Sequence, residues 1–189
     1  YLDEMLYVEG GGLNGDSCAG CKTPNPMFRC VDEDCVGLGM RCEECIVKSH
    51  WYLPFHWIEE WDGEMFWTRT LQSLGLCIQL GHKAGSACLF PQPAYIYFAV
   101  LHTNGIHQVN INFCGCQPNL QCRTQLLRSH LWPGTVLSPQ SACTFICLWQ
   151  FHTFNCIANI PAYDYYKGLE TMTENRTQEK PDVSAKLVW

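Results

Sequence analysis

The apolar positions change period several times along the chain, and each change marks an element. Residues 1–9, beginning Tyr1-Leu2-Asp3-Glu4-Met5-Leu6, read as a short helical piece that Gly10-Gly11-Gly12 and Asn14-Gly15 break. Glu43 to Ser49 is helix-compatible throughout and Phe55 to Trp61 alternates, which predicts a short helix and then a strand. Leu76-Cys77-Ile78-Gln79-Leu80 is a further predicted strand, ended by Gly81, while the rest of residues 62–93 shows no clear period. Two apolar runs joined by Asn104-Gly105, the pair favoured in type I′ turns, predict a hairpin in which Val100 faces Val109, Phe98 faces Ile111 and Ile96 faces Phe113. His102 and His107 then sit at the turn end of the buried face, as satisfied core or edge histidines. Trp132-Pro133-Gly134 reads as a turn. Ser138-Pro139 supplies an N-cap and first helical position for a helix running to about Cys156, with Phe145, Leu148, Trp149, His152 and Cys156 along one side. Cys143, Cys147 and Cys156 read as small apolar core residues. A last helix starts near Pro161, carries Tyr163, Tyr166 and Leu169, and fades at Thr173 before a polar stretch.

The cysteines change this picture, because 14 of them in 189 residues mean that something besides an ordinary core holds the chain together. Between residues 18 and 56 six cysteines and two histidines arrive in pairs: Cys18 and Cys21, Cys30 and Cys35, Cys42 and Cys45, His50 and His56. Two Cys separated by two residues reach one Zn²⁺, because the turn between them brings both sulfurs to one edge of a tetrahedron. Eight ligands make two closed sites. The interleaving favours a cross-brace in which Cys18, Cys21, Cys42 and Cys45 share one ion and Cys30, Cys35, His50 and His56 the other; a sequential arrangement uses the same residues. A disulfide framework is the rival, but bridges have no use for two histidines at ligand spacing. A third site is expected at Cys114-Gly115-Cys116, with His82 and Cys88 of the preceding loop completing it and Cys122 as the next candidate. His107 would lie roughly 23 Å from Cys114 along a continuous strand at about 3.3 Å per residue, too far to share that ion.

Charge and motifs then exclude function classes. The net charge is −6 with only 12 Lys and Arg, and thiolate ligation makes the loaded protein more acidic still, which is poor material for general nucleic-acid binding. No Gly-rich phosphate loop, no Gly-x-Ser-x-Gly and no His-Glu-x-x-His is present, and closed four-ligand sites leave no open position for catalysis, so no enzyme activity is expected. Neither a signal peptide nor an apolar membrane span is found, and the zinc spacing implies a reducing compartment. The start at Tyr1 and the stop at Trp189 read as those of a fragment.

The order of motifs also resembles a known family. Leu2-Asp3-Glu4-Met5-Leu6, the Cys/His module ending in His56-x-Ile58-Glu59-Glu60-Trp61, and Leu74-Gly75-Leu76 with Gln79-Leu80-Gly81-His82 come first. Thr103-Asn104-Gly105-Ile106-His107, Phe113-Cys114-Gly115-Cys116, Gln125-Leu126-Leu127-Arg128, Pro139-Gln140 and Ala162-Tyr163-Asp164-Tyr165-Tyr166 follow in one order. Together they resemble the CxC-type cysteine-cluster domain attached to fungal KDZ (Kyakuja-Dileera-Zisupton) transposases, over nearly the whole chain. The resemblance implies a nuclear, zinc-chelating accessory region that helps a DDE-type transposase recognise DNA or chromatin. The catalytic core of such an enzyme is not matched here. The first cluster is also similar to B-box fingers, which brings a protein partner into play; Cys30 and Cys35 are spaced wider than the resemblance leads one to expect.

The expected architecture is therefore α+β and zinc-rich. It comprises an N-terminal helix and B-box-like two-zinc module over residues 1–61, and a β-rich part with the third zinc over 62–122. A helical part over 123–173 and a polar tail over 174–189 complete it. The expected partners are DNA or chromatin, through the full-length transposase, and a protein partner, with no membrane and no small-molecule substrate.

Overall fold

A computed structural model describes residues 1–9, 16–35, 39–83, 85–116 and 119–177. The glycine-rich break at residues 10–15 and the end of the expected polar tail, 178–189, lie outside the described residues. The fold is α+β, with five α-helices and several small sheets among the described residues, and it divides into two compact units, Tyr1–Leu76 and Cys77–Trp189.

In the first unit helix α1 (Leu2–Glu9) is followed by strand β1 (Phe28–Cys30), a 3₁₀ turn at Glu33–Cys35 and helix α2 (Glu43–Ser49). Strands β2 (Ile58–Trp61) and β3 (Phe66–Arg69) complete an antiparallel sheet in the order β1-β2-β3. Residues 62–76, which carry no clear period in the sequence, thus supply a third strand and two core side chains. Phe28, Ile46, Ile58, Leu71 and Leu76 form the buried cluster, a small core for so many short elements. Arg29 bridges to Glu59 on the neighbouring strand at 2.7 Å and lies over the Phe66 ring, so the sheet's other face is held by charge and aromatic contact.

The second unit holds two sheets. Strand β4 (Cys77–Gln79) runs parallel to β8 (Asn110–Cys114), and β5 (Pro91–Pro93) pairs antiparallel on its other side. The larger sheet has the order β7-β6-β10-β9, formed by β6 (Ala99–His102), β7 (Gly105–Gln108), β9 (Leu131–Pro133) and β10 (Ser141–Thr144). Its two central strands, β6 and β10, are parallel and buried on both faces. Helices α3 (Cys122–Arg128), α4 (Phe145–Ala158) and α5 (Ala162–Thr177) complete the unit. Ala99, Leu101, Ile106, Cys143, Cys147, Tyr165 and Leu169 make its core. Helix α5 covers the edge strand β7, where Thr173 Oγ1 accepts from the Ile106 N–H at 2.8 Å and so satisfies a donor that an open edge would leave bare.

Several expectations are corrected. The hairpin forms two residues out of the predicted register, with Val100 opposite His107 and Leu101 opposite Ile106. Thr103 and Asn104 occupy the turn without positive φ, and Gly105 opens the returning strand at φ 140°, so Asn104-Gly105 is not a type I′ pair. Beyond Val109 the chain leaves for the other sheet, so Phe98 does not meet Ile111, and Ile96 is 68% exposed. Leu131–Pro133 is a strand, not the expected turn. The helix expected from Ser138 starts at Phe145, because residues 141–144 are taken by β10; Thr144 caps it, its side chain accepting from the Cys147 N–H. Its buried side is that of Cys147, with Leu148 and Phe151 packed behind it, whereas Phe145, Trp149 and Cys156 are exposed. In α5 the buried residues are Tyr165, Leu169 and Thr173, and Tyr163 is exposed. His102 and His107 do have partners, Thr144 Oγ1 at 3.0 Å and Asn104 Oδ1 at 2.8 Å.

Candidate metal centres

Three groups of four Cys and His side chains converge, each with its ligand atoms within 4.8 Å of one another. The first joins Cys18, Cys21, Cys42 and Cys45. Cys18 and Cys21 flank a tight turn in which the Lys22 N–H donates to the Cys18 carbonyl at 3.0 Å. Cys42 and Cys45 are brought alongside because Arg41 and Phe28 exchange backbone hydrogen bonds at 2.8 and 3.0 Å, setting Cys42 at the N-cap of α2. The sulfur separations, 3.7 Å from Cys18 to Cys42 and 3.6 Å from Cys21 to Cys42, match the edge of a tetrahedron with bonds of about 2.3 Å, roughly 3.8 Å. Gly20 is needed here for space: a Cβ would lie 2.9 Å from Cys45 Sγ.

Electrostatics favour thiolate at two of these four sulfurs, Cys18 and Cys21. Burial pushes the Cys18 thiol up, yet backbone N–H groups aimed at its sulfur, among them those of Gly20 at 3.4 Å and Cys42 at 3.3 Å, bring it down to about 6. The Thr23 hydroxyl, 2.9 Å from Cys21 Sγ, lowers that thiol too. Cys42 and Cys45 are raised, the latter to about 12, with its neighbour Cys42 the first cause. Four thiolates in contact repel one another unless a cation lies among them.

The second group joins Cys30, Cys35, His50 and His56. Cys35 Sγ lies 3.8 Å from His50 Nε2 and 3.4 Å from His56 Nδ1, and Cys30 Sγ lies 3.5 Å from the same His56 atom. His50 Nδ1 is 2.7 Å from the Ile46 carbonyl, which only accepts, so Nδ1 carries the proton and Nε2 keeps its lone pair toward the group. Burial lowers the His50 pKa, keeping the ring neutral as a ligand must be. Burial also raises Cys30, to about 12. The Asp32 carboxylate accepts from the Trp57 N–H, and the Val31 N–H donates to the Trp57 carbonyl at 3.1 Å. These two contacts tie β1 to the segment bearing His56. In the sequence only its place between Cys30 and Cys35 marks Asp32.

The third group joins His82, Cys88, Cys114 and Cys116. The small sheet delivers all four: β4 leads to His82, β5 follows Cys88, and β8 ends at Cys114. His82 Nε2 is 3.2 Å from Cys114 Sγ, and Cys88 Sγ is 3.6 Å from Cys116 Sγ. At Cys88 desolvation raises the thiol, but the Phe90 N–H, the neighbouring Cys116 and Cys114 thiols and the Gly115 N–H together bring it down to about 7. A buried side-chain amide finishes the end of β8. Gln125 Oε1 accepts from the Cys114 N–H at 2.7 Å, and its Nε2 donates to the Cys114 carbonyl at 3.0 Å. Gln125 enters the sequence reading only within the Gln125-Leu126-Leu127-Arg128 motif, without a role, because an amide standing in for a strand leaves no periodicity. Cys122, at the start of α3, joins no group, and neither do the core residues Cys143 and Cys147.

Each group offers sulfur and imidazole donors at tetrahedral separations and can hold a metal ion with its four positions filled by protein. Among the described residues, no helix is long and apolar enough to cross a membrane. A family model described as CxC2 like cysteine cluster associated with KDZ transposases matches residues 71–177. The third group lies inside that span, and the first two lie before it. No curated protein and no solved structure matches the chain.

Proposed function

Since the chain belongs to the CxC2-like cysteine-cluster family associated with KDZ transposases, we propose that it is a zinc-stabilised, non-catalytic recognition region acting beside a transposase core in the nucleus. In this reading all twelve ligands named above hold Zn²⁺, three ions per chain, and the ions build structure instead of performing chemistry. The observation that carries it is the closure of the three groups, four protein donors each, which leave no position for an activated water. Thiolate and imidazole donors suit zinc over the hard ions that prefer oxygen. The task of the region is to help direct the transposase to DNA or chromatin.

Elemental analysis of protein purified under reductant tests the metal part, with three zinc ions per chain expected and fewer than one overturning it. Duplex DNA binding measured across salt concentrations tests the recognition part. A steep fall of affinity with salt supports contact with the phosphate backbone. A second reading, a B-box-like protein-interaction module without DNA affinity, is favoured by the net charge of −6 and by the position of the first two groups outside the family match. Absence of binding even at low salt would select it.

A further inference from the structure

Charge is divided between the two units far more sharply than the net value suggests. Tyr1–Leu76 carries 13 Asp and Glu against 5 Lys and Arg, net −8, and Cys77–Trp189 carries 5 against 7, net +2, which together give the −6 of the chain. Within the second unit, residues 77–163 contain no Asp and no Glu, and their Lys and Arg are Lys83, Arg123 and Arg128. A phosphate brought to this stretch meets no carboxylate belonging to it. Asp164, Glu170 and Glu174 lie on α5, which packs on β7, whereas α3 packs beside β9. Strands β7 and β9 are the opposite edges of one sheet, three strand spacings or roughly 14 Å apart, which exceeds the screening length of about 8 Å in physiological salt.

Helix α3 shows both of its arginines to solvent. Gln125 and Leu126 are buried and fix the inner side, so Arg123 and Arg128 flank the outer one, with Leu127 exposed between them. Five residues advance a helix by about 7.5 Å, which spaces the two side chains along the axis. Arg29, Lys48, Arg69 and Lys167 are each paired with a carboxylate, but Arg123 and Arg128 have no ion pair among the described residues. Gln125 holds both backbone groups of Cys114, so the third group braces the helix that presents the arginines. The chain then turns at His130, φ 58°, into β9, and exposed side chains continue from Arg128 through His130 to Trp132. We propose that this outer side of α3 is where the chain meets the phosphate backbone of duplex DNA, with Arg123 and Arg128 each donating to a phosphate. The inference rests on the recognition reading above and assigns the contact to the second unit and not to the acidic first one. Contacts of this kind position a protein on the duplex without reading its sequence.

The test measures binding of a mixed-sequence duplex DNA by the full chain, under reductant, across a series of salt concentrations. Arg123→Ala/Arg128→Ala is expected to reduce the magnitude of the slope of log K against log salt by about 1.8, two contacts at about 0.9 each. It is also expected to weaken binding on the order of tenfold at about 0.15 M salt, alike for every duplex sequence. Arg123→Lys/Arg128→Lys, which keeps both charges, is expected to retain the wild-type slope. Arg69→Ala, which removes a first-unit cation already paired with Glu60, is expected to leave affinity and slope unchanged. Both arginines are exposed, so the metal content and circular dichroism spectrum of the double variants are expected to match the wild type. A wild type that binds DNA while the double alanine variant equals it in affinity and slope overturns this assignment alone, as does an equal loss from Arg69→Ala. A wild type that binds no duplex even at low salt overturns the recognition reading and this inference with it.

Discussion

The two units hold themselves together by different means. In Tyr1–Leu76 the strands are three and four residues long, the buried cluster is five side chains, and eight ligands from two groups thread through it. In Cys77–Trp189 two central strands, buried except at His102, are backed by helices of 14 and 16 residues, and among the described residues one ligand group sits on a separate three-stranded sheet. The first unit has little core apart from its Cys and His groups, whereas the second has a core elsewhere. Short elements bury too little apolar surface to offset chain entropy, and cross-links make up the deficit.

Metal removal is the strongest way to break the comparison. Chelation, or Cys42→Ser, should abolish amide-exchange protection across residues 18–61 while protection of residues 99–107 and 141–158 survives. Structural zinc contributes about 10–16 kcal/mol of apparent binding energy in finger peptides, far above the ~3–5 kcal/mol of a small core. Simultaneous loss in both units would erase the distinction. Next in size, Leu101→Ala removes a fully buried side chain from the second core and should cost about 2–5 kcal/mol in thermal or denaturant unfolding of that unit, with zinc per chain unchanged. Gln125→Ala should cost about 1–3 kcal/mol for each Cys114 backbone group left unpaired, read as release of the third ion at lower chelator concentration than the other two.

The smallest effect is an alkaline one confined to the second unit. Burial, and then the Cys147 thiol, hold the Tyr165 phenol above its ordinary value of 10.0. The folded state therefore binds that proton more tightly than the unfolded chain does. The resulting stability is complete below about pH 10 and is lost as pH rises through the higher folded value. Tyr165→Phe should flatten this part of the stability profile, and an unchanged profile would remove Tyr165 from the account.

Which cysteines and histidines converge was legible in the sequence because spacing constrains which side chains can reach one point, and the interleaved grouping of the first two sets follows the pairs in the order they occur. The sheet was less legible for reasons that are equally physical. Asn104-Gly105 signals a turn but not which of its positions each residue takes, and a shift of two moved every pairing of the hairpin. Ser138-Pro139 is a sound start signal for a helix, yet β10 lies in its way, held by a parallel partner some 40 residues upstream that local pattern does not report. On α4 the absence of any charged residue leaves nothing in the pattern to tell the wet side from the dry one, and it is the Cys147 side that is buried while Trp149 is exposed. Gln125 and Asp32 escaped because each acts on backbone groups distant in sequence.

The interleaving of the first two groups has a consequence for how they fill. The stretch between Cys21 and Cys42 contains Cys30 and Cys35, and the stretch between Cys35 and His50 contains Cys42 and Cys45. Closing either loop brings the other's donors together, so the entropy of gathering them is spent largely by whichever ion arrives first. A titration with scarce zinc should then yield molecules holding both ions beside molecules holding neither, which native mass spectrometry separates directly. Supply of the metal would set how many copies exist in working form, and not how well each copy works.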